Sequence, residues 1–476
     1  MTALWTVEAM AAAMQANMQG KLPASVNGIS IDSRTLAPGD AFFAIAGDAR
    51  DGHEFVEAAL KNGAGLAVIA KDKRAMFSAD ARLLVVDDVL EGLRELGRAA
   101  RARLNGIVIA VTGSVGKTST KEALQLVLSR AGLTHSSAAS YNNHWGVPLS
   151  LARCPANARF AVFELGMNHP GEIGPLSRMV EPDIAIITTV APVHLQYFKS
   201  IDEIADAKAE IFEGLDSDGI AILNRDNEQF HRLVDRALDA RVSRVVSFGE
   251  SEKCDARLVR CVLQADHSSV QADILGDELT YKLGAPGRHL VLNSLAVLAA
   301  AKLAGADLAL SALALADLVP AQGRGTRILL TVPGGTALLI DESYNANPVS
   351  MRAAIALLGQ AEIGARGRRI AVLGDMLELG TQSALLHREL AQAITENKVD
   401  LVFCSGPEMQ NLWDALPPNR RGSYASHSAA LEPQVLEAVS SGDAVMVKGS
   451  NGSKMTPIVK SLQRKFAAQT AGAAQG

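Results

Sequence analysis

Cysteine is scarce and unpatterned in this chain. Cys154, Cys254, Cys261 and Cys404 form no C-x-x-C pair, and four thiols in 476 residues exclude a disulfide scaffold. They read as buried free thiols in a reducing compartment. A basic stripe is also missing. The net charge is −5, so a nucleic-acid partner, which draws on clustered Lys and Arg, is not expected. Arg366, Arg368 and Arg369 cluster near one glycine and read as a solvated loop before a strand. No long apolar run occurs. The most apolar helical stretch, Val291 to Ala306, is broken by Asn293, Ser294 and Lys302, which excludes membrane insertion through it. The opening MTALWTVEAMAAAM carries Glu8 and no basic lead, so it reads as an amphipathic helix and not a signal peptide. A cytoplasmic protein is expected. There is no repeat of fixed period and no low-complexity tract. The last ten residues, AAQTAGAAQG, read as a frayed tail.

What is present is an ordinary globular balance, 48% hydrophobic and 20% charged, in a chain too long for one domain. Three blocks are expected, at 1–104, 105–322 and 323–476. In the first, short strands (Gly28–Asp32, Ala41–Ile45, Leu66–Ile69, Leu83–Val86) precede a helical run, Val89–Leu104. The second opens on the apolar, β-branched strand Ile107–Thr112. Strands at Ala161–Glu164, Ile184–Thr188 and Ala221–Leu223 follow, with helical patterns between them. That alternation predicts βαβ units and a mostly parallel sheet. Ser243–Leu283 reads as an appended antiparallel patch, and Leu290–Leu303 as the closing helix. The third block follows a candidate hinge at Gly323–Thr326. Strands at Ala337–Asp341, Ile370–Leu373, Leu401–Cys404 and Ala444–Val447, with helices such as Val349–Leu358 and Ala384–Thr395, predict a second α/β unit of Rossmann-like type.

The strongest motif is Ile109-Ala-Val-Thr-Gly-Ser-Val-Gly-Lys-Thr-Ser-Thr120. A strand ends, Gly113 and Gly116 turn the chain, and a helix starts at Lys117 or Thr118. Backbone N–H groups of Gly113, Ser114, Val115, Gly116 and Ser119, with the positive end of the helix, suit phosphate oxygens. Lys117 would reach the outer phosphates of ATP and Thr118 would hold Mg²⁺. The spacing is G-x-x-G-K-T, shorter than the common phosphate loop, with Val111 where an earlier glycine would sit. Glu164 ends a neighbouring strand and is the candidate metal carboxylate. His194, just past the Ile184 strand, stands as readily for a surface histidine as for a ligand at the carboxyl edge of the sheet. Lys208, on an amphipathic helix, reads from the residues alone as a solvent lysine beside Asp206.

These pieces resemble the Mur ligase family. The loop Thr112-Gly-Ser-Val-Gly-Lys-Thr118 is similar to that family's short phosphate loop. Asp32-Ser-Arg34 with Pro38-Gly-Asp40, Tyr141-Asn-Asn143, Glu164-Leu-Gly-Met167, Asp341-Glu-Ser-Tyr-Asn-Ala-Asn-Pro348 and Leu373-Gly-Asp-Met-Leu-Glu-Leu-Gly380 resemble the members that lengthen a peptidoglycan precursor. The resemblance covers nearly the whole chain. It implies a small UDP-sugar-binding domain, a central ATP-binding phosphate-loop domain and a C-terminal domain that closes the site. The implied substrates are UDP-N-acetylmuramoyl-tripeptide and D-alanyl-D-alanine, joined by a monomer at the cost of ATP, with Mg²⁺. It implies that Lys117 and Thr118 hold phosphates and metal, and that Glu164 and His194 are ligands of Mg²⁺. Lys208 aligns with a lysine that is carbamylated in related ligases. Asn293, Arg324, Asp341, Tyr344 and Asn345 match nucleotide contacts. Ser33 and Arg34 match the UDP-sugar side, and Asn142 and Asn143 a substrate-facing loop. Two positions depart from the family's pattern: Leu290 follows His289 where asparagine is usual, and Gln196 stands where glutamate is usual.

A folylpolyglutamate synthetase-type ligase shares such a loop, but the Asp341–Pro348 and Gly374–Gly380 pieces disfavour it. A guanine-reading Asn-Lys-x-Asp run is absent, which disfavours a GTPase.

Overall fold

A computed structural model of the chain describes residues 3–470, apart from 48, 49, 139, 194, 467 and 468. The strands gather into three main sheets and one two-stranded ribbon. A five-stranded sheet near the N-terminus runs in the order Asn17–Gln19, Leu83–Val86, Leu66–Ala70, Ala41–Phe43, Ile29–Ser30. Only its Asn17–Gln19 edge is antiparallel. The expected amphipathic helix is shorter than the sequence suggests. Trp5–Thr6 pairs with Ser25–Val26, and Thr6 caps the helix Val7–Met14 by accepting from Ala9 N at 3.2 Å. The central unit lies further along the chain, but the core does not stop between the two. One hydrophobic cluster runs from Trp5 and Val7 through Leu93 and Leu96 to Ala110, Val147 and Phe163. The helix Val89–Ala102 makes the join: Gly97 lies where an added methyl would sit 3.3 Å from Pro148. The close packing there is ordinary interior density, and it fixes the first unit against the central one.

The central sheet has nine strands. Ile107–Thr112 lies inside it, between Phe160–Glu164 on one side and Ile184–Ile187 on the other, all parallel. The chain leaves the carboxyl end of Ile107–Thr112, runs out to Thr134–Ser136 at the edge, returns to Phe160–Glu164, and then crosses to Ile184–Ile187. The strand order therefore reverses beside Ile107–Thr112, and a crevice opens outside the carboxyl ends of these strands. Ile220–Asn224 and Arg244–Gly249 extend the parallel part; the antiparallel pairs made by Ala256–Leu263, Ser268–Ile274 and Asp277–Leu283 finish it. The helix Arg288–Leu303 covers one face, burying Leu295 to Ala301 against Ile109, Val111 and Ile186.

The third sheet has seven strands in the order Arg421–Ala425, Leu401–Ser405, Arg369–Gly374, Ala444–Lys448, Gly335–Glu342, Thr326–Val332, Gln469–Thr470. The sequence reading has no strand at Thr326–Val332, since the glycines of 323–325 mask its start. It hydrogen-bonds along its whole length to Gly335–Glu342. Of the expected frayed tail, Gln469–Thr470 pairs with Ile328 and Leu329, and the other eight residues lie outside the described residues. The expected helix Ala384–Thr395 is two helices, Ser383–Arg388 and Leu390–Glu396. Arg366 and Arg368 lie in the loop before Arg369–Gly374, as expected; the half-exposed Arg368 also pairs with the buried Asp443 at 2.7 Å. Asn347 caps Pro348–Gln360 with a reciprocal bond to Ser350. Among the described residues no helix is long and apolar enough to cross a membrane.

His387 gives this unit a pH dependence. It is fully buried, its Nε2 accepts from Met376 N at 3.0 Å, and its Nδ1 donates to the Ser383 carbonyl at 2.7 Å. Both nitrogens are satisfied by a neutral ring. Burial holds its pKa below the ordinary histidine value. A depressed folded pKa makes the unfolded chain bind the extra proton first, so this contribution is complete at neutral pH and fades as pH falls. The urea midpoint is expected to drop between about pH 7 and about pH 5, with a shallower slope in His387→Gln. Identical slopes for the two proteins would contradict the assignment.

Candidate active site

The loop at residues 113–116 sits in the crevice. Gly113 and Gly116 have φ of 149° and 90°, a region that side chains rarely adopt. Space forbids a side chain as well. A methyl at Gly113 would collide with the Thr188 hydroxyl, and one at Gly116 would lie 2.5 Å from Asn293 Nδ2. The loop is held from the neighbouring strand end. Ser114 N donates to Thr189 O at 2.8 Å, Ser114 Oγ donates to Ala191 O at 3.1 Å, and Thr188 Oγ1 donates to Val115 O at 2.6 Å. The helix Lys117–Leu128 then starts at Gly116 with no side-chain cap. Its first N–H groups are left for an anion, with the helix dipole behind them.

Lys117 Nζ folds back to donate to Gly113 O at 2.7 Å. Burial lowers its pKa, and the charge of Arg324 adds to that, while Glu164 opposes it. Thr118 Oγ1 donates to Glu164 Oε2 at 2.8 Å, and Asn142 Nδ2 donates to Glu164 Oε1 at 2.7 Å. Glu164 is buried, 1% exposed. The structure thus brings together Lys117, Thr118, Glu164, Asn142 and Asn293, which the sequence scatters over some 180 positions. Arg324 reaches in from the start of the third unit. Its Nη2 donates to Ser140 Oγ at 3.2 Å, and its guanidinium lies 4.0 Å from the Tyr344 ring centre.

Lys208 corrects the solvent reading. It is 2% exposed, while Asp206 on the same helix turns outward to Arg232 and Arg236. Burial first, and then the charge of Lys117, holds its amine well below the ordinary lysine value. His194 lies outside the described residues.

Other expected residues are committed elsewhere or stand apart. Asp341 is buried and accepts from Ser343 N and Ser343 Oγ. Asn345 is exposed, and its carbonyl accepts from Lys448 Nζ at 3.1 Å. Asn143 Oδ1 caps the next helix by accepting from Gly146 N, and the residue also lines a cavity of about 410 Å³ with His144, Gly166, Arg94 and Arg98. Ser33 and Arg34 form a surface turn in which Arg34 pairs with Asp32. Three further buried or half-buried polar residues carry no motif signal. Ser140 is one. Lys121 is another, buried one turn after Lys117 and donating to Ser137 O at 2.7 Å. Lys448, buried and 3.0 Å from Glu342, reads from sequence only as a strand end.

Thr118 and Glu164 offer hard oxygen donors, which fit Mg²⁺. Among the described residues no three His, Cys, Asp or Glu converge on one point, so these donors suit an ion completed by phosphate and water oxygens.

Three domain families match in chain order: the Mur ligase family catalytic domain at 25–101, the Mur ligase middle domain at 111–301, and the Mur ligase glutamate ligase domain at 328–451. The UDP-N-acetylmuramoyl-tripeptide–D-alanyl-D-alanine ligase of Bacillus subtilis is 34% identical over 92% of this chain and 93% of its own length. The chain belongs to the Mur ligase family. The Mur ligase of the same description from Rickettsia prowazekii is 30% identical over 97% of this chain and its full length. Among Mur ligase structures, MurF from Acinetobacter baumannii superposes with a TM-score of 0.82 at 30% identity, covering 97% of this chain and 99% of that one. MurF from Thermotoga maritima, solved in complex with ADP, gives 0.74 at 26% identity, covering 92% and 97%.

Proposed function

We propose that this chain joins D-alanyl-D-alanine to UDP-N-acetylmuramoyl-tripeptide, with ATP converted to ADP and phosphate. The observation that carries the reading is the uncapped helix start at Lys117 set over the Thr118–Glu164 pair, in a chain that matches ligases of this description end to end. A carboxylate is a poor electrophile at neutral pH and must be activated. The tripeptide carboxylate attacks the γ-phosphorus, and the bond to ADP breaks. Lys117 and the N–H groups of 115–119 take up the charge that develops on the transferring group, while the Ser114 N–H, expected among them, is already committed to Thr189 O. Mg²⁺ held by Thr118 and Glu164 would supply further charge neutralisation on the phosphates. The neutral amine of D-alanyl-D-alanine then attacks the acyl carbon. A C–N bond forms, the C–O bond to phosphate breaks, and the nitrogen loses a proton.

Residues 1–104 take the UDP-sugar on this reading, with Ser33 and Arg34 on its side, and 105–322 take ATP. Residues 323–476 close the site, with Asn293 and, from the third unit, Arg324, Asp341, Tyr344 and Asn345 around the nucleotide. A contact between the two larger units supports closure: Gln196 N donates to Glu378 O at 3.2 Å. Closure shields the acyl phosphate from water. All four cysteines are free thiols, which suits a cytoplasmic enzyme. One chain supplies every group named, and it acts as a monomer.

Lys208 is assigned a carbamate. A buried amine held neutral attacks CO₂, forms an N–C bond and releases one proton, leaving a carboxylate. That carboxylate lies near Lys117, whose charge a second ammonium would oppose and a carbamate would balance. Depleting CO₂ and bicarbonate is expected to lower kcat about tenfold or more, with recovery on adding bicarbonate, because a metal-side charge is lost. Activity indifferent to bicarbonate in wild type, with no CO₂ adduct on the Lys208 peptide, would rule the carbamate out.

The reading as a whole is tested by incubating the protein with Mg·ATP and both substrates, omitting each in turn. Pentapeptide product that requires all three supports it. Phosphate release that ignores the peptides would replace it with an ATPase.

A further inference from the structure

Donor counting fixes the direction of one chain of hydrogen bonds across the crevice. Thr118 has a single hydroxyl proton. Glu164 Oε2, 2.8 Å away, is a carboxylate oxygen, so Thr118 donates that proton to it. Ser140 Oγ lies 3.4 Å from Thr118 Oγ1, and with the threonine proton spent, Ser140 must donate there. Ser140 Oγ in turn accepts from Arg324 Nη2 at 3.2 Å. Arg324 has no acceptor capacity, so the polarity runs one way: Arg324 to Ser140, Ser140 to Thr118, Thr118 to Glu164. The far end is anchored by Tyr344, whose ring lies 4.0 Å from the guanidinium. The near end is anchored by Asn142 on the second oxygen of Glu164. The segment that carries Ser140 is itself fixed from below, since buried Lys121 donates to Ser137 O.

We propose that Ser140 is a positioning residue that ties the first arginine of the third unit to the Thr118–Glu164 pair. It rests on the ligase reading above for its link to turnover. Ser140 touches no reacting atom. It senses whether Arg324 has arrived and orients the threonine oxygen accordingly. A hydroxyl can accept from a guanidinium and donate to a second hydroxyl at once. Alanine or valine can do neither, and threonine can do both. The third unit thereby communicates its position to the metal donors through one side chain.

The test uses full-length protein and the isosteric pair Ser140→Thr and Ser140→Val, each alone and combined with Arg324→Ala. Two readouts are taken: kcat and KM for the complete ligase reaction, and Kd for Mg·ATP by calorimetry. Ser140→Thr should stay within about twofold of wild type. Ser140→Val should lose about tenfold in kcat, the usual scale for a hydrogen bond to a charged group, while KM for D-alanyl-D-alanine holds. Combined with Arg324→Ala, the valine variant should cost almost nothing further, in kcat and in Mg·ATP affinity alike, because the relay is already cut. Equal behaviour of the threonine and valine variants would overturn the proposal. So would losses that multiply in the double variant. Should wild type make no pentapeptide, the ligase reading falls, and the Mg·ATP cycle still decides whether Ser140 couples Arg324 to the metal donors.

Discussion

Lys117→Ala is expected to fold normally and lose about a thousandfold in kcat, the scale seen when a preorganised charge aimed at a transition state is removed. In the resting protein the amine merely holds its own loop, donating to Gly113 O, so the deletion removes one partly buried hydrogen bond and opens no core. Its value appears when phosphate arrives. Burial and Arg324 hold the ammonium below the ordinary lysine value, and an incoming triphosphate reverses that balance. The loss should therefore fall on kcat more than on KM for either peptide substrate. Lys117→Arg should recover little, because a planar guanidinium cannot fold back into the space between Gly113 and Gly116. The check is steady-state kinetics alongside a thermal midpoint. A Lys117→Ala enzyme within tenfold of wild type would place the transferring phosphate elsewhere.

Glu164→Gln is expected to cost about a hundredfold or more in kcat and to raise the Mg²⁺ concentration needed for half-maximal rate. The substitution keeps the shape and removes the charge. It also breaks the local hydrogen-bond logic. Thr118 and Asn142 each donate to a different oxygen of Glu164, and an amide can present an acceptor to only one of them. The other donor meets an N–H group, inside a site that is almost fully buried. Glu164→Asp keeps both acceptors but withdraws them by one methylene, so it should fall between the two. A magnesium titration separates this from general damage. A Gln variant with unchanged magnesium dependence would remove Glu164 from the metal side of the site.

The phosphate loop was legible because its demands are local. A buried strand, two glycines, Lys117-Thr118 and a helix lie within a dozen residues, and the structure uses each as its chemistry requires. Most strands were legible for a similar reason: fully buried parallel strands read as short apolar runs. Thr326–Val332 was not, since an edge-side strand that opens on a glycine turn looks like the hinge before it. Lys208 could not be read from its helix either. Its neighbours Asp202, Asp206 and Glu203 make the surface face, and the burial of the lysine comes from what packs on the other side. Only the resemblance to the Mur ligases pointed inward. Ser140 gave no signal at all. Its partners are Thr118 and Arg324, one 22 and the other 184 positions away, and a serine in a polar segment has no pattern to betray it.

The central claim is that ATP activates a peptide carboxylate as an acyl phosphate, which an amine then captures. It is tested most directly by labelling the terminal carboxylate of the tripeptide with heavy oxygen and following one turnover with Mg·ATP and D-alanyl-D-alanine. The account predicts that one labelled oxygen leaves in inorganic phosphate and the other stays in the new amide carbonyl. Unlabelled phosphate, or label found in AMP, would contradict it.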